Sequence, residues 1–98
     1  MAAVRMNGYR KGAAAEYRAM RLLEAAGYVV MRAAGSHGPF DLAAFGPHDV
    51  KVISVKAGGK YCSAVEREQL QLAVVPPNCS KEIWRFKDRV RDPLIERL

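Results

Sequence analysis

Ninety-eight residues, half of them apolar or aromatic, make one domain with one small core, and exclude both a disordered tail and a disulfide scaffold. Sixteen Lys and Arg against ten Asp and Glu leave a net charge of +6 and a pI near 9.7, which on so small a surface favours a polyanionic partner, most often nucleic acid. Cys62, Cys79, His37 and His48 fall in no paired spacing, so a zinc site is not expected, and no apolar run approaches the roughly 20 residues that cross a bilayer.

The first twelve residues carry Arg5, Arg10 and Lys11 between glycines and read as a basic lead-in. With no apolar segment behind it, this is not a signal peptide, and the unpaired cysteines fit a reducing compartment. The expectation is a cytoplasmic protein, or one of the host cytosol if phage-encoded. Residues 13–26 are helix formers, and Gly27 supplies a stop. Ala15, Ala19, Leu22, Leu23 and Ala26 form the apolar stripe, with Met20 beside it. Glu16 lies at the edge of that stripe, where a carboxylate needs a positive partner or the solvent and dipole of a helix start.

Residues 28–34 read as a strand that ends at Gly35-Ser36-His37-Gly38-Pro39, a loop whose glycines let backbone N–H groups approach a phosphate. Residues 40–46 form the next strand, with Asp41, Ala43 and Phe45 on one face. Pro47-His48-Asp49 turns the chain into a third strand, 50–57, whose Val50, Val52, Ser54 and Lys56 share a face. A lysine on an apolar strand face calls for a carboxylate or an anion. Paired, the second and third strands would hold Asp41 and Lys56 at neighbouring positions.

Ser63-Ala64-Val65-Glu66 is a capping box that opens a second helix, which ends before Pro76-Pro77. Residues 78–80 read as a turn and 82–87 as a fourth strand. Val90, Leu94, Ile95 and Leu98 make the tail a docked extension or an intersubunit arm. The order α-β-β-β-α-β predicts an α+β domain: a central, mostly antiparallel mixed sheet flanked by helices, in one unit over 1–98.

The succession Gly12, Glu16, Arg32, Gly35-Ser36-His37-Gly38-Pro39-Phe40-Asp41 and Ser54-Val55-Lys56 resembles the archaeal and phage type of Holliday junction resolvase, over roughly residues 5 to 87. That family belongs to the restriction-endonuclease-like nucleases. The resemblance implies a dimeric, magnesium-dependent endonuclease, with manganese as a substitute, that cuts branched double-stranded DNA. By the same resemblance Glu16, Asp41, Lys56 and Ser36 are the catalytic residues, and Asp41, the Val55 carbonyl and Glu16 hold the metal. Arg10, Lys11, Arg32, Ser36, His37 and Lys60 are the candidate DNA contacts.

One position departs from the pattern. The family's acid two residues before the lysine is Ser54 here, which removes a negative charge from the site. Weaker metal binding is expected, with Glu16 carrying more of it; Glu66 or Glu68 could substitute if the second helix comes near. A disarmed DNA-binding member of the same fold, or a nuclease for flaps or nicks, is the alternative.

Overall fold

The computed structural model describes residues 8–33, 38–58 and 60–98, with side chains from Lys11 onward. Helix α1 (Gly8–Ala25) is followed by strands β1 (Val29–Arg32), β2 (Leu42–Phe45) and β3 (Val50–Ala57). Helix α2 (Ala64–Leu72) then leads to β4 (Cys79–Phe86) and β5 (Leu94–Arg97). The five strands lie in one sheet in chain order. β1, β2 and β3 form an antiparallel meander. β4 runs parallel to β3, with α2 in the connection between them, and β5 closes the edge antiparallel to β4. This is the mixed α+β sheet the sequence predicts.

α1 covers one face. Ala15, Ala19 and Leu23, each four residues on, are all buried and pack with Leu42, Ala44, Ile53, Val55, Trp84 and Phe86. Leu22, expected in the stripe, is 41% exposed, because a row spaced by four residues sets it off the seam. The helix stops in a Schellman motif: Gly27 sits at φ +96, its N–H reaches Glu24 O at 3.0 Å, and Tyr28 N–H reaches Leu23 O at 3.0 Å. At its start the helix runs on to Gly8 rather than beginning at residue 13. Propagation from a run of alanines outweighs the roughly 1 kcal/mol that a glycine costs in a helix.

α2 lies on the opposite face. Ser63 caps it, its Oγ accepting the Glu66 N–H at 3.1 Å, and Leu70 is its buried anchor. The Arg67 guanidinium pairs with the Glu96 carboxylate of β5, and Lys81 Nζ of β4 donates to Gln71 O at 2.7 Å. These bonds fix the helix over the β3–β5 side of the sheet. β4 begins three residues earlier than expected, at Cys79, since its register with β3 starts at Val50↔Cys79. The tail docks as β5, and Arg18 of α1 holds the turn before it, donating to Arg91 O at 2.7 Å and stacking on the Phe86 ring.

The sheet buries one carboxylate outright. Glu82 is 4% exposed and is met by Lys51 Nζ at 2.6 Å, Trp84 Nε1 at 2.9 Å and Ser80 Oγ at 3.3 Å. Burial pushes its pKa up, but these hydrogen bonds and the Lys51 charge outweigh burial and hold it below the ordinary 4.5. An acid with a lowered native pKa stabilises the fold above its unfolded pKa, and that stability is lost as pH falls through the native value. Denaturant midpoints should therefore fall as pH drops from about 5 toward the lowered native value, and should do so less steeply in Glu82→Gln. Equal slopes for the two proteins would contradict this account.

Candidate active site

The site forms where β2 ceases to pair with β3. Leu42 is the register partner of Ile53, yet the Asp41 N–H also donates to Ile53 O, at 2.8 Å. Two residues of this strand thus meet one of β3, as in a bulge, a device that re-aims a side chain. Asp41 accordingly precedes β2 rather than lying within it, as the sequence suggests. Its carboxylate reaches into the sheet plane and accepts the Val55 N–H at 2.7 Å. Val55 itself, expected to offer its carbonyl to a metal, gives its N–H to Asp41 and its side chain to the core.

Asp41 opens onto a cavity of about 190 Å³ that Gly38, Ser54, Lys56, Glu66 and Leu70 also line. Ser54 and Lys56 come from β3, two residues apart and so on one face. Ser54 is only 3% exposed. Glu66 comes from the first turn of α2, and its carboxylate is paired with the Lys56 ammonium. Its other oxygen, Oε1, takes a hydrogen bond from Ser63 Oγ at 3.3 Å. The carboxylate that a lysine on this face requires is therefore Glu66, and Glu68 lies exposed and away from the cavity.

Glu16 stands beside this cavity rather than in it. Its Oε1 accepts from Arg32 Nε at 2.7 Å, and the Arg32 guanidinium also lies over the Tyr17 ring, 5.1 Å from its centroid. Lys11 and Lys60 join Lys56 at a second cavity, of about 150 Å³, next to the first. Lys11 also pairs with Asp88 at 2.9 Å. Ser36 and His37, and the side chain of Arg10, lie outside the described residues.

The electrostatics of Asp41 are unusual for an acid with a hydrogen-bond donor and a lysine at hand. Burial pushes its carboxyl above the ordinary 3.8, and the Val55 N–H opposes that. The Glu16 and Glu66 charges push it up further, while Lys56 pulls it down. Glu66 goes the other way: the hydrogen bond from Lys56 holds it below the usual carboxylate value. Asp41 is thus an acid whose charge the fold tolerates at a cost, within reach of two further acids.

A comparison with protein-family models matches residues 7–75 to the archaeal Holliday junction resolvase (Hjc) family. The chain belongs to this family. The match covers α1, the meander and α2, and so every element that lines the cavity, and the resolvase family carries with it a nuclease of the restriction-endonuclease-like fold acting on branched DNA. No curated protein matches the chain.

The donors suit a hard divalent cation. Asp41, Glu66 and Ser54 line one open cavity, and among the described residues no cysteine or histidine joins them there. Among the described residues no three His, Cys, Asp or Glu gather into a cage, but magnesium is ordinarily held by one or two carboxylates together with phosphate oxygens and water.

An acid with a raised native pKa destabilises the fold at neutral pH. That cost is complete above the native pKa and vanishes once pH falls below the unfolded value, 3.8 for Asp41. Asp41→Asn should therefore melt at a higher temperature than the unmodified chain at pH 7, with the gap closing in acid. A variant that melts lower at pH 7 would show that the carboxylate's bond to Val55 outweighs its burial.

Proposed function

We propose that this resolvase-family chain is a metal-dependent, structure-selective DNA endonuclease that resolves four-way junctions by paired hydrolysis of phosphodiesters, acting in the cytoplasm as a homodimer. The observation that carries the reading is the single cavity in which a half-buried aspartate, a lysine and a second carboxylate meet, in a chain of this family. The net charge of +6 supports a polyanionic substrate.

Asp41 and an acid beside it would hold the ion, and Lys56 would meet the phosphate. A bound magnesium ion would supply Lewis acidity toward water and the phosphoryl oxygens. Asp41 is suited to its part because the Val55 N–H fixes its carboxylate at the end of a rigid strand. Lys56 is suited to stabilising negative charge that grows on the phosphoryl oxygens and on the leaving 3′ oxygen. Lys56 lines both cavities, so a strand whose scissile phosphate lies at Asp41 would have Lys11 and Lys60 for the neighbouring phosphate. Contacts of this kind read backbone rather than bases, and binding should weaken steeply with salt. The products would be a 5′-phosphate and a 3′-hydroxyl.

Ser54 favours a second reading, a DNA-binding member of the family that no longer cuts. The two part in a cleavage assay on a labelled four-way junction with magnesium, manganese or cobalt. The expected result is symmetric paired nicks, lost by about 100-fold or more in Asp41→Ala and by about 100- to 1000-fold in Lys56→Ala, with junction binding retained. Binding without cutting under all three metals would decide for the second reading.

A further inference from the structure

We propose that Glu66 takes, from α2, the acidic place that Ser54 leaves vacant on β3, so that the divalent cation is held between a strand acid, Asp41, and a helix acid, Glu66. The inference rests on the nuclease reading above and deepens it. Three observations meet in it. Ser54 holds the strand position two before Lys56, brings no charge and is buried in the wall of the cavity. Glu66 lines that same cavity from the opposite wall, together with Asp41 and Lys56. Its approach is fixed by the fold: it is the third residue of a helix capped by Ser63, anchored by Leu70 and tied to β5 through Arg67.

Neither of the other acids fills that place. Glu16 spends its carboxylate on Arg32 and does not line the cavity, and Glu68, two residues from Glu66, faces solvent. The small side chain at Ser54 and the acid at Glu66 are complementary. A longer side chain at the Ser54 position would project into the cavity that Glu66 and Leu70 also line. The charge that the strand does not carry is supplied from the facing helix, at the contact between Glu66 and Lys56.

The test is calorimetric titration of the whole chain with Mn²⁺, without DNA, for the unmodified protein, Asp41→Asn, Glu66→Gln and Glu68→Gln, alongside junction cleavage. Glutamine at residue 66 keeps a capping-box residue, so α2 is expected to form, and circular dichroism checks it. The expected result is a loss of Mn²⁺ affinity of roughly tenfold or more in Glu66→Gln and in Asp41→Asn, with Glu68→Gln unchanged. Affinity retained in Glu66→Gln but lost in Asp41→Asn overturns the inference and leaves the nuclease reading standing. So does a variant that binds Mn²⁺ normally yet cuts poorly, since Glu66 would then only position Lys56. Equal losses in Glu66→Gln and Glu68→Gln would reduce the effect to surface charge and overturn it as well. An unmodified chain that neither binds Mn²⁺ nor cuts a junction removes the nuclease reading itself.

Discussion

The bond from the Val55 N–H to the Asp41 carboxylate sets the geometry of the site. β3 is longer than β2 by several residues, so beyond Ile53 its backbone donors have no strand opposite them. A buried N–H left in that position costs on the order of 1–3 kcal/mol. The bulge at Asp41 and Leu42 resolves this by turning a side chain, instead of a main chain, toward Val55. One hydrogen bond thereby completes the ladder and fixes a carboxylate at the mouth of a cavity. The burial that follows from being set into the sheet is what raises the carboxyl's pKa.

The chain holds a second buried acid, and the contrast separates structure from function. Glu82 sits in the middle of β4, opposite Ile53 of β3, with a lysine, an indole N–H and a hydroxyl around it, and its pKa is lowered. Asp41 has one backbone donor and a lysine whose ammonium is already claimed by Glu66, and its pKa is raised. Both are carboxylates on a sheet, and both have a lysine nearby. The difference lies in satisfaction: Glu82 is closed off by its own side of the core, whereas Asp41 opens onto a cavity with other acids beside it. An acid the fold leaves electrostatically incomplete is where a cation or a reacting group gains most.

Much of this was legible in the sequence because it depends on local chemistry. β3 is rich in β-branched residues, Val50, Val52, Ile53 and Val55, and has the bounds the sequence predicts. The Gly27 stop and the Ser63 cap are set by single residues whose conformational or hydrogen-bonding preference decides the matter. Other features depend on distant partners and were not legible. β4 takes in Cys79 and Ser80, which read as part of a turn, because β3 offers them a parallel partner that no local pattern announces. Asp41 falls just outside β2 because the bulge is a relation between two strands. The place of Glu66 needed the packing angle of α2: a capping box announces a glutamate at that helix position, but which wall of the molecule it faces is decided by Leu70 and by Arg67 with Glu96.

Dividing a site between a strand and a helix has a mechanical consequence. Asp41 is tied by its hydrogen bond to Val55, the residue before Lys56 on a strand that is paired with β4 along its length, so the spacing of Asp41 and Lys56 changes little. Glu66 rides on a nine-residue helix held by one buried leucine, an ion pair and a lysine bond to its last turn. A helix so short has little stability of its own, and its position is that of its tertiary contacts. The Glu66–Lys56 pair is therefore both a component of the cavity and one of the bonds that holds α2 down. Glu66 and Arg67 are consecutive, so one turn of α2 is bonded both to Lys56 of β3 and to Glu96 of β5 at the edge of the sheet.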